Sequence, residues 1–285
     1  MEMNKKILVT GGLGFIGTNL VKKLLKYNST IYVLDNLSSG DLENKINGVT
    51  YVIDDTKNLN KLFKDFNFDL VFHLGEYSRI VPSFKEIKKI FNFNILGSFT
   101  LLELCKANNV PIVYASSSTR LSEEGENHSP YSYFKSTITK LIKNYGDWYG
   151  LKYSICYFYN VYGPYQDAGH DGWETVISIF EKQLKNKKPL TICGDGTQRR
   201  DFTYVGDIVE GLILASQKLK NEEYQLGSGK DYSILEVAKM FGGEIKHLQP
   251  RPGDRKKGLA NTEKTKQKLG WYPKMNLKTW INSIK

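Results

Sequence analysis

Tyr131 and Lys135 are the pair in this chain whose spacing most directly implies chemistry. They lie in Tyr131-Ser132-Tyr133-Phe134-Lys135, and an i, i+4 spacing on a helix puts phenol and ammonium on one face. An ammonium beside a phenol favours the phenolate. A phenolate can take the proton of an alcohol while a hydride leaves the same carbon. Upstream, Ser116-Ser117-Ser118 closes an apolar stretch, and a serine there can hold the same hydroxyl. In a chain with 18 tyrosines, two unrelated surface residues at this spacing are the competing reading. Context decides between them: the hydride needs an acceptor.

Gly11-Gly12-Leu13-Gly14-Phe15-Ile16-Gly17 provides a place for one. It follows the apolar run Lys6-Ile7-Leu8-Val9 and opens a periodic stretch, the order strand, glycine turn, helix. Gly12, Gly14 and Gly17 satisfy G-x-G-x-x-G, and Gly11, Gly14 and Gly17 satisfy G-x-x-G-x-x-G. Such a turn lets a pyrophosphate reach the amides of the helix N-terminus, where side chains would hold it off. Ile31-Tyr32-Val33-Leu34 then reads as a second strand ending in Asp35, eighteen residues past Gly17. An acid there is placed for the ribose hydroxyls of adenosine. A dinucleotide is the expected cofactor. NAD is favoured over NADP, because Asp35 repels a 2′-phosphate and Asn36-Leu37-Ser38 offers no arginine.

The elements that must carry these groups alternate. Apolar runs predict strands over 6–9, 31–34, 49–53, 69–73, 110–115 and 153–158. Periodic stretches predict helices over 15–27, 58–65, 83–108 and 132–149. The expectation is an α/β fold, a Rossmann-type doubly wound parallel sheet with a smaller C-terminal substrate-binding subdomain. Residues 1–160 read as the dinucleotide domain. Residues 161–285, with more glycine and proline, read mainly as the subdomain, with some segments returning to the main sheet.

Composition narrows the function further. A chain of 285 residues with 40% hydrophobic content can bury a substantial core. No apolar run is long enough to span a membrane. The net charge of +10 is dispersed, without a basic arm or aromatic RNA-binding motif, so no nucleic-acid partner is expected. Cys105, Cys156 and Cys193 are scattered and odd in number, as reduced thiols of a cytoplasmic protein would be. A signal peptide at the N-terminus would sacrifice the cofactor strand, which also argues for the cytoplasm. His73, His128, His170 and His247 form no ligand cluster, so no metal is expected, and His73 reads as a core histidine. A noncatalytic dinucleotide sensor is the reading from another class, and retention of Ser117, Tyr131 and Lys135 counts against it.

Together these motifs resemble the extended short-chain dehydrogenase/reductases, in particular the NAD-dependent epimerases and dehydratases of nucleotide sugars. Thr10 to Gly17 are similar to the cofactor loop of that family, and Val33 to Gly40 to its second strand and turn. The motifs Tyr159-Asn160-Val161-Tyr162-Gly163-Pro164, Gly194 to Phe202 and Arg251-Pro252-Gly253-Asp254 are similar to those of nucleotide-sugar members. The resemblance implies that Gly11, Gly14, Phe15, Ile16, Gly17, Asp35, Asn36, Ser38 and Gly40 contact the cofactor. Asp55 and Thr56 would meet adenine, and Leu74 and Gly75 would follow the fourth strand. Ser117 and Tyr131 would hold the reacting hydroxyl, and Lys135 the nicotinamide ribose. Ser118, Asn160, Arg200 and Arg251 would meet the substrate, the arginines at its diphosphate. Asn94, in Asn94-Ile95-Leu96-Gly97-Ser98, would be mainly structural, while Tyr162 and Trp173 would line the sugar pocket or simply pack. A homodimer is implied, through the helices near 83–108 and 132–149.

Departures from the family refine the expectation. Tyr131 lies fourteen positions past Ser117, a trimmed loop, and Arg120-Leu121-Ser122 replaces the usual tyrosine-glycine. Ser118 and Thr119 stand where 4,6-dehydratases carry Asp-Glu, so loss of water is not expected. Glu76 either faces substrate or nicotinamide or is a buried, paired acid. His73 to Arg79 and Asn144 to Tyr149 resemble a capsule and lipopolysaccharide branch acting on GDP-heptoses. The resulting expectation is oxidation at C4 of a nucleoside-diphosphate sugar by a 4-dehydrogenase, with a GDP-heptose as the candidate substrate and a 4-epimerase as the alternative.

Overall fold

The structure, a computed structural model, describes residues 4–64, 67–121, 125–166, 175–250 and 257–285. The first strands are β1 (Lys6–Thr10), β2 (Thr30–Asp35), β3 (Val49–Ile53), β4 (Leu70–His73), β5 (Ile112–Ser117) and β6 (Tyr153–Phe158). After them come β7 (Val161–Tyr162), β8 (Leu190–Cys193), β9 (Arg199–Asp201), β10 (Thr203–Tyr204), β11 (Glu222–Leu226), β12 (Asp231–Ser233) and β13 (Ile245–Leu248). Seven strands form one sheet in the order β11-β6-β5-β4-β1-β2-β3, and every pairing in it is parallel. The order reverses between β1 and β4. Ligands of such sheets bind beyond the carboxyl ends of the strands at that reversal.

Helices α1 (Phe15–Leu24), α2 (Leu59–Leu62), α3 (Ile87–Ile90), α4 (Gly97–Ala107), α5 (Pro130–Tyr149), α6 (Val176–Lys185) and α7 (Val205–Lys218) divide between the sheet faces and a separate cluster. On one face Leu20, Val21 and Leu24 of α1 pack with Ile208 and Leu212 of α7. On the other, Leu101 of α4 packs with Ile138 and Ile142 of α5. A third cluster joins Phe180 of α6 to Val237 and Phe241 of α8 (Ile234–Phe241). After α9 (Glu263–Leu269), α10 (Leu277–Ile284) adds Trp280 and Ile281 to that cluster. Residues 205–226 thus return to the main sheet as α7 and β11.

Helix α5 has strong local signals. Ser129 caps it by accepting from the Ser132 amide, Pro130 opens it, and Gly150 closes it at φ 71°. Its buried side carries Tyr131, Lys135, Ile138, Ile142 and Tyr145. Tyr131 and Lys135 therefore continue an apolar stripe into the molecule, which removes the reading of two chance surface residues.

Two elements differ from the sequence reading. The single helix read over 83–108 is instead a short turn at Val81–Phe84, then α3, wider π-helical turns at Phe91–Leu96, and α4. The wide turns contain buried Asn94, whose amide accepts from Tyr77 N–H (2.8 Å) and donates to Tyr77 C=O (3.2 Å). The strand read over 110–115 runs two residues later, because pairing with β6 continues past the apolar run to Ser116 and Ser117. Among the described residues, no helix is long and apolar enough to cross a membrane, and no group of potential metal ligands forms.

Candidate active site

The crevice beyond β1 and β4 begins at the glycine turn. No side chain caps the first turn of α1, whose N-cap is Gly14. A Cβ added at Gly14 would touch only Gly11 C=O, at 3.4 Å, and otherwise project into open space. A helix N-terminus without a protein cap and bordered by open space fits a pyrophosphate. Gly11, Gly14, Phe15, Ile16 and Gly17 all line the crevice.

Asp35, at the end of β2, lines it too and is held by the backbone. Leu13 N–H donates to its Oδ2 and Leu37 N–H to its Oδ1, each at 2.9 Å. Burial pushes its carboxyl up, while amides of Leu37, Leu13 and Gly14 pull it back. Asn36 and Ser38 line the same end, Asn36 donating to Asp55 Oδ1 at 2.6 Å. Asp55, Thr56, Leu74 and Gly75 line the crevice as well. Gly40 is not among the described lining residues and instead lies against the Asp35 carboxylate.

At the other end stand Ser117, Ser118, Tyr131 and Lys135, brought together by β5 and α5. Ser117 Oγ accepts from the Thr119 amide (3.3 Å) and hydroxyl (3.0 Å), which leaves its own proton available. Lys135 Nζ donates to Ala115 C=O at 2.6 Å and lies 4.9 Å from the centre of the Tyr114 ring. It also meets Glu76 Oε2 at 2.5 Å, with side-chain exposures of 6% and 1%. Glu76 lines the crevice and is at the same time a buried acid paired with Lys135. Its carboxylate is spoken for by Lys135, Ser98 and Tyr114.

The substrate candidates divide. Asn160 lines the crevice, at φ 25°, and its amide donates to Asp201 C=O at 2.9 Å. Arg200 is not among the described lining residues; its buried guanidinium donates to Arg199 C=O at 2.8 Å. The periodicity of the motif around it could not reveal that inward turn. Arg251, Trp173 and His170 lie outside the described residues. Tyr162 is fully buried between Tyr204 and Trp280, so it packs. Sequence reasoning missed Arg79, Tyr165 and Gln166 at the crevice and Tyr114 beneath Lys135. Tyr114 sits in an apolar run and carries no local signal distinguishing it from core.

The glycine turn, the backbone-held acid and the Ser-Tyr-Lys cluster thus share one crevice. A family model described as the NAD dependent epimerase/dehydratase family matches residues 7–227. The chain belongs to this family. It is an NAD-dependent enzyme of the nucleotide-sugar epimerase/dehydratase kind. A putative UDP-glucose 4-epimerase of Methanocaldococcus jannaschii is 35% identical over 98% of this chain and 96% of its own length. A solved UDP-glucose 4-epimerase from Thermotoga maritima, with UDP-glucose, superimposes with TM-score 0.91 at 31% identity, covering 97% of this chain and 96% of that one. A UDP-glucuronic acid 4-epimerase from Bacillus cereus, with UDP-glucuronic acid and NAD, has TM-score 0.88 at 28% identity, covering 97% and 96%.

Two outcomes are expected at this site. Stripped protein should bind NAD at least tenfold more tightly than NADP, since the 2′-phosphate would meet buried Asp35 with no arginine in the adjacent turn; equal affinities in a titration would refute the assignment. Tyr131→Phe should lower turnover by about 10²–10⁴-fold while leaving NAD affinity within a few-fold, because the lost group transfers a proton and the cofactor cradle is elsewhere. Near wild-type turnover would require another base.

Proposed function

We propose that this enzyme is a 4-epimerase of nucleoside-diphosphate sugars, with UDP-sugars as the first candidates. The observation that carries this is the meeting of Ser117, Tyr131 and Lys135 beside the cofactor crevice, with no free carboxylate among the described residues of that cluster. In this reading Tyr131 takes the proton of the C4 hydroxyl, Ser117 donates a hydrogen bond to the same oxygen, and Lys135 supports the phenolate. NAD, held by the glycine turn and Asp35, would supply the acceptor and donor of hydride for C4. Turning the 4-keto sugar before the return inverts C4. Loss of water would need a second acid and base; Ser118 and Thr119 cannot supply them, and Glu76 is engaged with Lys135. The relatives above named as UDP-sugar 4-epimerases favour inversion over release of the ketone. A GDP-heptose 4-dehydrogenase rests only on the segments 73–79 and 144–149, so it is the competing outcome of the assay and not the conclusion.

A homodimer belongs to the same proposal. Phe91 and Phe99 on the α3–α4 segment and Tyr133, Trp148 and Tyr149 on α5 expose between 43% and 60% of their surfaces. Aromatic surface of this kind on neighbouring helices fits a second copy. A cytoplasmic location, expected from the cysteines, is part of this reading.

The deciding experiment incubates the enzyme with UDP-glucose, UDP-glucuronate, UDP-N-acetylglucosamine and a GDP-heptose, following mass and bound-cofactor absorbance together. The expected product has unchanged mass and inverted C4 by NMR. A ketone two hydrogens lighter means a dehydrogenase; a product lighter by water or carbon dioxide overturns the proposal. Light scattering should give a dimer that Trp148→Glu weakens; a monomer at micromolar concentration would remove the second copy from the proposal.

A further inference from the structure

Glu76 is the acid that the proposed reaction leaves without a task, and it is the most heavily coordinated side chain in the site. Tyr114 O–H donates to its Oε2 at 2.9 Å and Ser98 O–H to its Oε1 at 2.5 Å, while the Lys135 ammonium lies 2.5 Å from Oε2. Behind it runs a chain of bonds to the cofactor turn. Gly75 N–H donates to Thr10 Oγ1 (3.0 Å), Thr10 Oγ1 bonds His73 Nδ1 (2.7 Å), and His73 Nε2 bonds Ser98 Oγ (2.8 Å). Ser98 gives its single proton to Glu76, so it accepts from His73 Nε2–H, and in the neutral ring Thr10 O–H then donates to Nδ1. The tautomer of a neutral His73 is thus set by its partners on β1 and α4. Burial alone would push the Glu76 carboxyl up, but the Lys135 charge and the His73 side hold it down at about 2. Its contact with the Lys135 ammonium favours the carboxylate.

The consequence falls on Lys135. An ammonium has three donors, and two are committed here, to Glu76 and to Ala115 C=O. One remains to face the crevice. The other titratable groups packed around the pair are His73 from β4, Tyr114 from β5 and Tyr131 on the same helix, with Tyr157 of β6 near Tyr114. Arg79 lines the same crevice. None of these groups is a second carboxylate. We propose that Glu76 is a positioning residue for Lys135, aiming its one remaining donor and offsetting its charge, so that Tyr131 works beside an ion pair and not beside a free cation. The proposal rests on the epimerase reading only for the task given to Tyr131.

Glu76→Gln keeps the shape and removes the charge. The readout is the tyrosinate absorbance step that disappears when Tyr131→Phe is added to the same background, which needs no substrate. In Glu76→Gln that step should move about one pH unit lower, because the uncompensated ammonium stabilises the phenolate more. The acidic limb of the turnover profile should follow it. Glu76→Asp retains the charge and should titrate close to wild type. NAD affinity should fall several-fold in Glu76→Ala, where nothing aims the ammonium. Should Glu76→Gln not fold by circular dichroism, Glu76→Ala carries the same expected titration shift. An unmoved or upward-moving step, with only the melting temperature changed, would overturn the proposal in favour of a purely structural pair. Failure of both neutral variants to fold while Glu76→Asp folds would count against it in the same way. If no sugar is turned over by the wild type, the epimerase reading fails while the titration still decides the role of Glu76.

Discussion

The close approach of two strand ends, β1 and β4, is the constraint on which this site depends. Gly11, at φ 71°, follows β1 so tightly against Gly75 after β4 that an added Cβ would lie 2.7 Å from the Gly75 Cα. The parallel register sets Thr10 beside His73, and their side chains bond at 2.7 Å just below. Because the backbones nearly touch there, the turn after β1 opens the crevice on one side while the turn after β4 delivers Glu76 on the other. A larger residue at either position would push cofactor cradle and acid apart together.

That approach also explains how cofactor and chemical ends of the site are coupled. One series of hydrogen bonds runs from the Gly75 amide through Thr10, His73 and Ser98 to Glu76, and Glu76 meets Lys135. Fully satisfied buried networks of this sort restrict side chains to one arrangement, since any break leaves an unpaired polar group in a low-dielectric interior. Lys135 would be costly to bury with its charge unmatched. Here the same acid that matches the charge also orients it, so stability and catalytic geometry draw on one interaction.

Much of this was legible in the chain because it is local. The glycine spacing, the strand ending in Asp35 and the Tyr-x-x-x-Lys pair each depend on geometry within a few residues. The parallel sheet followed from alternation, whose physical basis is the burial of both sheet faces. The wide turns inside the helix read over 83–108 were not legible. They accompany the bonds between Asn94 and Tyr77, residues seventeen apart whose meeting depends on the tertiary fold. The two-residue shift of β5 has a similar origin: its last residues are strand because β6 lies beside them, not because they are apolar.

The sequence by itself determined the class of cofactor, the spacing that pairs Tyr131 with Lys135 and the sheet that carries them. Those features reside in spacing that any folded form of the chain must express. Only the tertiary structure decided where the side chains of Glu76 and Arg200 turn. The glutamate gains its partners from α4, β5 and α5, three elements distant in the chain, and so becomes a paired acid. The arginine turns its guanidinium onto its own strand. A charged side chain can reach several partners from one backbone position, and which of them it meets is fixed by packing, not by its neighbours in sequence.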